Sequence, residues 1–406
     1  MKVKITPNKL SGTIQVPPSK SQAHRLIIGA ALAAGTSHIH NLAYSQDIQA
    51  TLDCMTQLGA AVQAAGQTIT GIRRGSRPPQ MLPVLDCGES GSTIRFLMPV
   101  ALAVAGGGVF RGRGRLLERP YKPYEEIFTK QNLTFTRQSG QITLSGTLKS
   151  GRFELAGDVS SQFVTGLLYA LPLLDGDSEL VLTTPLESKG YVEMTLEALQ
   201  TFGIQVEATE TGWKVPGNQV GTPADVTVEG DYSQASNYIV AASLGNELTV
   251  TGLSASSAQG DRVILDYARQ LDGAGEVTLS VRHCPDLVPA LAVRAALRAG
   301  QTTHIVDAAR LRLKESDRLE AVTAELNKLG AQVEQTPDAL HIHGVSQFHG
   351  GVCDSHQDHR IAMMVAVAAT CADGTVELTG AESVAKSYPN FWEDYEQLGG
   401  LIARSE

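Results

Sequence analysis

The chain has 406 residues, of which 42% are hydrophobic and 40 are glycines, and its formal net charge is -9 at pH 7. This length predicts two or three domains with real hydrophobic cores, and the composition is typical of a globular α/β protein with many turns. The negative charge argues against a nucleic-acid-binding surface, and no apolar segment reaches transmembrane length. Anion binding would therefore depend on local clusters of Lys and Arg.

Cysteine and histidine usage argues against a metal site. The five cysteines are far apart and form no C-x-x-C pair, which favours reduced thiols over a disulfide framework or a zinc site. Two His-Ile-His triplets, at residues 38–40 and 341–343, lack a nearby third ligand, so we interpret them as exposed strand residues. Residues 1–5 begin like a strand, not like a signal or transit peptide. We therefore expect a cytoplasmic protein without cofactor or metal.

One type of segment recurs along the chain with a period of roughly 70 residues. It predicts an apolar helix that begins at Ser, Asp or Gly, and a helix that is apolar on all sides is buried. The predicted starts are near Ser21, Gly91, Ser160, Ser233, Asp286 and Asp358.

A second type of segment predicts amphipathic helices that lie outside the buried ones. The clearest copies are TLDCMTQLGAAV (51–62), TLEALQTFGIQV (195–206) and AVTAELNKLGAQV (321–333). In each copy a glycine follows the last helical turn as a C′ residue, and the alternation after it predicts a half-exposed strand.

The two helix types together predict six βαβ-type units, most simply grouped as two domains of three units. We place the boundary near residues 229–231, so that residues 20–229 form the first domain. Residues 230–406 form the second, and residues 1–19 join it as a short strand ahead of the first helix. If the buried helices of each domain run parallel, their N-terminal ends converge on one face, and two such faces would attract a small anionic ligand in a cleft.

The first buried helix begins with chemistry suited to an anion. Two prolines precede Ser19-Lys20-Ser21, and Ser19 or Ser21 can cap the helix. Its free N–H groups, with Lys20 and Arg25, could hold a phosphate or a carboxylate, although a single capped helix with two solvated cations is ordinary.

Two further stretches before residue 120 suit anion binding. Gly91 lies in a Gly/Ser-rich turn that allows close approach to the backbone, although such turns are often only tight loops. The loop 111–119 carries four arginines, which could clamp an anion or form a solvated basic loop.

The third unit offers hydroxyl and amide groups. Ser160, Ser161 and Gln162 open its buried helix and suit phosphate oxygens, although capping alone would explain Ser160. Ser188 and Tyr191 precede its outer helix and are weakly specific.

The second half of the chain carries the acid–base candidates. Asp286 follows a proline at the start of a buried helix, where a carboxylate is favoured in any case. Lys314 and Glu315 lie in a dense charged run, which could equally be a surface helix with neighbouring ion pairs. Arg360 follows Asp358 at the start of an apolar helix and suggests anion binding, whereas Lys386 in a turn could be only a surface lysine.

Taken together, the motifs resemble those of the 5-enolpyruvylshikimate-3-phosphate synthase family. They are SKSQAHR (19–25), GESGSTIR (88–95), RLLERP (115–120), SSQ (160–162), GDYS (230–233), LKESDRL (313–319), DHR (358–360) and KSYP (386–389). Each motif is weak alone, but eight in the family order over nearly the whole chain are specific. The resemblance implies a two-domain inside-out α/β barrel, in which each domain has three βαβαββ-like units with buried parallel helices and the active site lies in the cleft between domains.

The resemblance also implies a reaction and its residues. The family transfers the enolpyruvyl group of phosphoenolpyruvate to the 5-hydroxyl of shikimate 3-phosphate, by addition and elimination without metal. The implied proton-transfer residues are Asp286, Glu315, Lys20 and Lys314. The implied phosphoenolpyruvate contacts are Lys20, Gly91, Arg115, Gln162, Arg318, Arg360 and Lys386. The implied shikimate 3-phosphate contacts are Lys20, Ser21, Arg25, Ser160, Ser161, Gln162, Ser188, Tyr191, Asp286 and Lys314.

The sequence departs from the family pattern at a position that affects inhibitor sensitivity. Glu89 stands where many members have Asn, which puts inhibitor sensitivity in doubt, but the retained Gly91 predicts that glyphosate binds.

The related transferase acting on UDP-N-acetylglucosamine carries a reactive Cys on the loop matching residues 111–120, and this loop has none. A non-catalytic anion-binding repeat protein is the other alternative. We expect a monomer with small-molecule substrates and without nucleic-acid or membrane partners.

Overall fold

The computed structural model describes residues 1–72 and 81–405, and these form two compact units. The continuous unit comprises residues 20–228, and the split unit comprises residues 1–19 and 229–406. Glu229, which the sequence analysis placed in the first domain, belongs to the split unit. Its carboxylate accepts hydrogen bonds from Ser257 (2.7 Å) and Gln259 (2.9 Å) of that unit.

Twelve α-helices are present in the described residues. They are α1 (Lys20–Leu32), α2 (Gln46–Leu58), α3 (Gly91–Ala105), α4 (Lys122–Lys130), α5 (Ser161–Ala170), α6 (Lys189–Thr201), α7 (Tyr232–Ser243), α8 (Ile264–Asp272), α9 (Val288–Ala296), α10 (Arg318–Lys328), α11 (His359–Ala369) and α12 (Phe391–Gln397). The odd-numbered helices are the six predicted buried ones, and each begins within two residues of its predicted start.

The described residues also form 22 strands. They are β1 (Lys2–Thr6), β2 (Ser11–Gln15), β3 (Thr36–His40), β4 (Ala61–Gln63), β5 (Thr68–Thr70), β6 (Val84–Asp86), β7 (Gly107–Arg111), β8 (Thr134–Gln138), β9 (Gln141–Ser145), β10 (Arg152–Leu155), β11 (Ser178–Leu182), β12 (Glu207–Ala208), β13 (Gly212–Val215), β14 (Asp225–Thr227), β15 (Glu247–Thr251), β16 (Val277–Ser280), β17 (Thr302–Val306), β18 (Gln332–Gln335), β19 (Leu340–His343), β20 (Gly351–Asp354), β21 (Val376–Thr379) and β22 (Leu401–Ser405).

One sheet pattern recurs through both units. In the order β6-β7-β9-β8, the first two strands are parallel, with α3 between them in sequence, and the other pairs are antiparallel. The orders β10-β11-β13-β12, β14-β3-β5-β4, β16-β17-β19-β18 and β20-β21-β1-β22 repeat this pattern. Among the described sheets, only β15-β2 lacks the two antiparallel strands that complete the other five. It lacks them because β16 of the next repeat follows α8 directly.

The chain passes between the units twice, each time between a strand and its buried helix. Strand β2 precedes α1 but pairs with β15, which follows α7. Strand β14 precedes α7 but pairs with β3, which follows α1. Within the split unit, the Ser19 N–H donates to the Glu229 carbonyl at 2.7 Å and holds the two crossing points together.

The buried helices form the cores because their sequences leave no polar face. Every residue of α11 is buried, and α11 packs against α7 and α9 in the split unit. In the continuous unit α3 packs against α5. The predicted C′ glycines Gly59, Gly203 and Gly330 all have the positive φ that this position requires. The fold class predicted from the sequence is confirmed.

Candidate active site

Helix α1 places the predicted Lys20 and Arg25 on the continuous unit. Lys20 lies in its first turn, and its ammonium is 2.9 Å from the Asp47 carboxylate at the start of α2. Both side chains are largely buried, with exposed fractions of 16% and 12%. The contact therefore orients Lys20 as well as balancing its charge.

Arg25 is a buried cation surrounded by neutral groups. It donates to the carbonyls of Ser21 (2.6 Å) and Tyr191 (2.8 Å) and to the Thr195 hydroxyl (2.9 Å). Its guanidinium lies over the Phe96 ring, 5.1 Å from the centroid, and no carboxylate contacts it among residues 1–72 and 81–405. Burial lowers the pKa of Arg25 to about 10, so the group remains a cation at neutral pH.

A second set of residues surrounds Gly91 at the start of α3. The Arg95 guanidinium donates to the Gln162 side chain at 2.6 Å, and Gln162 donates to the Ser92 hydroxyl at 3.0 Å. A Cβ added to Gly91 would lie 2.7 Å from an Arg119 nitrogen, so glycine leaves room there for Arg119. Lys20, Arg25, Gly91, Arg95, Arg119 and Gln162 are named here the arginine group.

The basic loop separates into exposed and buried arginines. Arg115, the predicted phosphoenolpyruvate contact, is exposed, whereas Arg119 is 8% exposed and lies beside Gly91. The sequence analysis did not single out Arg119, because four arginines on one loop look alike until burial distinguishes them. The role of Arg115 stays a prediction.

The predicted hydroxyl-bearing residues lie at helix starts of the same unit. Ser160 caps α5, since its side chain accepts from the Gln162 N–H at 3.3 Å, and Ser161 is buried next to it. Ser188 is buried just before α6 with φ 55° and ψ 45°. A non-glycine residue in this left-handed region is uncommon. Ser21 and Tyr191 are half-buried and share Arg25 as a partner.

In the split unit, Arg318 joins the predicted acid–base residues. This fully buried arginine donates to Asp286 (2.8 Å), Glu315 (2.7 Å) and Asp358 (2.8 Å). The three carboxylates come from the start of α9, the segment before α10 and the N-cap of α11. The fold therefore brings together residues that are 72 positions apart in sequence.

Asp286 contacts two further cations. Its carboxylate is 3.4 Å from the Lys314 ammonium and 3.1 Å from the Arg360 guanidinium. Asp286, Lys314, Glu315, Arg318, Asp358 and Arg360 are named here the ion-pair group. It contains three carboxylates and three cations.

The ion-pair group shifts the pKa values of its members. Burial opposes the charge of Arg318, but Asp358, Glu315 and Asp286 outweigh it and raise the pKa of Arg318 above its ordinary value. Burial likewise opposes the charge of Asp358, but Arg318 holds the pKa of that carboxyl below its ordinary value. Lys314 differs, because burial and the nearby Arg318 lower its pKa despite Asp286. A lysine with a lowered pKa gives up its proton more readily, as general acid catalysis requires.

Lys386 is the last predicted residue, and it is 6% exposed at the end of a 3₁₀ helix, Ala381–Lys386. Its ammonium donates to the Gln357 carbonyl at 2.7 Å. The surface-lysine interpretation left open by the sequence is therefore wrong.

Sequence reasoning also missed Asp47 and Asp261. Asp47 is the Lys20 partner, and no motif indicated it. Asp261 is buried, accepts from the Ser233 hydroxyl, and has a pKa of about 6 because of burial and the nearby Asp286. Both are isolated acidic residues in sequence, so only tertiary contacts identify them.

In residues 1–72 and 81–405, no three His, Cys, Asp or Glu side chains are close enough to hold a metal ion. Within the same residues, every helix is too short or too polar to cross a membrane. His38, His40 and His343 are exposed on strands, whereas His341 is half-buried and contacts His304 at 2.6 Å.

Comparison with known proteins gives one consistent family. The model of the EPSP synthase (3-phosphoshikimate 1-carboxyvinyltransferase) family matches residues 5–395. The 3-phosphoshikimate 1-carboxyvinyltransferase of Clostridium kluyveri is 44% identical over 419 residues, and that of Clostridioides difficile is 42% identical over 430 residues. Each alignment covers 98% of both chains.

Solved structures agree with this result. EPSP synthase from Acinetobacter baumannii has a TM-score of 0.82 at 25% identity, with 100% of both chains covered. The enolpyruvyl transferase NikO from Streptomyces tendae has a TM-score of 0.77 at 19% identity, covering 100% of this chain and 98% of that one, and shows a shared fold. With a family match over residues 5–395 and relatives above 40% identity, the chain belongs to the EPSP synthase family.

Proposed function

We propose that this chain transfers the enolpyruvyl group of phosphoenolpyruvate to the 5-hydroxyl of shikimate 3-phosphate and releases phosphate. Family membership and the names of the relatives support the reaction. One observation supports its mechanism most directly: Arg318 contacts both Asp286 (2.8 Å) and Glu315 (2.7 Å). The two carboxylates proposed to move protons are therefore held by one buried guanidinium.

The proposed addition step needs a base and an acid. Asp286 accepts the proton of the 5-hydroxyl while the hydroxyl oxygen bonds to the central carbon of phosphoenolpyruvate. The methylene carbon receives a proton from the set Glu315, Lys314 and Lys20, which produces a tetrahedral ketal. In the elimination step a proton leaves the new methyl group, the double bond re-forms and phosphate departs.

Two highly charged substrates also need cations that are already in place. For shikimate 3-phosphate we propose two sets of contacts. Those from the continuous unit are Lys20, Ser21, Arg25, Ser160, Ser161, Gln162, Ser188 and Tyr191, and those from the split unit are Asp286 and Lys314. For phosphoenolpyruvate we propose Lys20, Gly91, Arg115, Gln162, Arg318, Arg360 and Lys386. To these we add Arg119, because it is buried beside Gly91. Fixed cations in a water-poor site stabilise developing negative charge without reorganisation.

The test is phosphate release from phosphoenolpyruvate and shikimate 3-phosphate without added metal. Glu315→Gln should lower kcat by about 10²–10⁴-fold, the usual contribution of general acid–base catalysis. Glu320→Gln, which removes an exposed carboxylate of α10, is the matched control and should change little.

The possible results separate the hypotheses. Full activity of Glu315→Gln would remove Glu315 from the proton-transfer set while leaving the reaction in place. Turnover of UDP-N-acetylglucosamine instead of shikimate 3-phosphate would overturn the proposed substrate. We also propose that both units serve the reaction, that the protein is a monomer and that it is cytoplasmic. Variants of Arg25 and of Asp286 must impair the same reaction if both units serve it.

A further inference from the structure

The turn at residues 354–357, between β20 and α11, has an unusual backbone. Two consecutive non-glycine residues, His356 (φ 51°) and Gln357 (φ 55°), occupy the left-handed region. Such a conformation is strained for a non-glycine residue and persists only where surrounding contacts hold it.

One end of the turn is held by Glu325 of α10. His356 Nε2 is 2.6 Å from a Glu325 carboxylate oxygen, and the Asp354 N–H donates to the other oxygen at 2.9 Å. The Glu325 side chain is 0% exposed, and Lys328 balances its charge at 2.8 Å. A buried, fully hydrogen-bonded carboxylate is a rigid anchor.

The other end of the turn reaches the candidate active site. The Gln357 carbonyl accepts from the Lys386 ammonium at 2.7 Å, and the next residue, Asp358, caps α11 and binds Arg318. The Ser355 hydroxyl donates to the Gly380 carbonyl at 2.8 Å, immediately before the 3₁₀ helix that ends at Lys386. The turn is therefore hydrogen-bonded both to the Lys386 ammonium and to Gly380, the residue that precedes the 3₁₀ helix ending at Lys386.

We propose that His356 and Glu325 are positioning residues that hold this turn so that the Gln357 carbonyl aims the Lys386 ammonium at phosphoenolpyruvate. The inference rests on the proposed function, because it uses the role of Lys386 there. Neither residue takes part in proton transfer to the substrate. Loss of the His356–Glu325 contact should weaken phosphoenolpyruvate binding while leaving the chemical step intact.

The experiment compares steady-state kinetics of three histidine variants of the full chain. His356→Asn keeps a residue that tolerates a positive φ but is too short to reach Glu325. His356→Gln restores a donor of nearly the same reach. His349→Asn is the matched control, because His349 makes a similar contact with Asp373 (2.7 Å) at the surface.

We expect His356→Asn to raise KM for phosphoenolpyruvate about tenfold, equivalent to about 1.4 kcal/mol, with kcat within about twofold of wild type. His356→Gln should recover most of the loss, and KM for shikimate 3-phosphate should change little. An unchanged KM in His356→Asn, an equal rise for both substrates, or an equal effect of His349→Asn would overturn the positioning role.

Lys386→Met separates this inference from the function on which it rests. If wild type shows no turnover, the proposed function fails. If Lys386→Met raises KM for phosphoenolpyruvate but His356→Asn does not, only the positioning role fails. If Lys386→Met leaves KM unchanged, the role of Lys386 and the positioning role built on it both fail, whereas the reaction stands.

Discussion

Arg25 and Arg318 handle buried charge in opposite ways. Arg25 is surrounded by carbonyls, hydroxyls and aromatic rings, and no carboxylate contacts it within the described residues. Arg318 instead contacts three carboxylates. A buried cation without a counterion is ready for an anionic ligand, whereas a balanced network holds acids and bases in place. The difference predicts that Arg25 binds an anionic ligand, whereas Arg318 holds Asp286 and Glu315 in place.

The largest expected effect tests whether the ion-pair group supports the fold. Asp358→Ala removes a carboxylate with 0% exposure from Arg318 and should lower the free energy of unfolding by about 3–5 kcal/mol. Asp317→Ala is the control, because Asp317 also caps a helix but is half-exposed, and it should cost about 1 kcal/mol. Urea denaturation measures both, and equal losses would show that capping alone explains the role of Asp358.

Asp261 is a buried acid that should make the stability of the chain depend on pH. Burial and Asp286 raise the pKa of Asp261 from 3.8 to about 6. The folded chain therefore binds more protons than the unfolded chain between these pH values, and the Asp261 contribution to stability falls as pH rises through them. Asp261→Asn should thus be more stable than wild type at pH 8, by up to about 3 kcal/mol, and nearly equal to it at pH 3.

A matched control isolates this pH effect. Asp266→Asn changes an exposed aspartate of α8 that pairs with Arg269 at 2.9 Å. Its difference from wild type should stay small at both pH values. Denaturant titrations at pH 3 and pH 8 provide the measurement, and a stability gain for Asp261→Asn that is the same at both would contradict the linkage.

A smaller effect is expected for the binding role of the arginine group. Arg25→Gln should raise KM for shikimate 3-phosphate about 10–100-fold, since hydrogen bonds to a charged group contribute about 1.5–3 kcal/mol. Its melting temperature should also fall, because the carbonyl and hydroxyl partners of Arg25 lose their donor. Arg298 is the matched control: it is also buried and donates to carbonyls, including those of Leu271 and Gly273. Arg298→Gln should lower stability and leave KM unchanged, and the reverse pattern would disprove the distinction.

The smallest effect concerns space in the arginine group. Gly91→Ala would place a methyl group 2.7 Å from Arg119, whose flexible side chain can shift. We expect KM for phosphoenolpyruvate to rise about threefold to tenfold, equivalent to about 0.7–1.4 kcal/mol, with little change in kcat. Gly273→Ala is the control, because its nearest neighbour would be 3.3 Å away on an exposed turn. An unaltered KM in Gly91→Ala would place phosphoenolpyruvate elsewhere.

The sequence by itself determined the repeat, the buried helices and the identity of most charged candidates. Helix α11 shows why: residues 361–369 are all apolar, so the helix has to be buried wherever it packs, and Asp358 before it can cap it. The C′ glycines, such as Gly59, follow equally from local backbone preference. These features depend on short-range sterics and hydrophobicity, which a linear pattern records.

The tertiary structure alone decided which charges meet. It selected Arg119 instead of Arg115 for the position beside Gly91, and it paired Lys20 with Asp47. It also buried Asp261 and connected Glu325 to His356, at positions without any motif. Desolvation and Coulomb interactions depend on distances through space between segments far apart in sequence. A sequence therefore indicates which side chains can carry charge, and the packing of the repeats determines which of them are buried together.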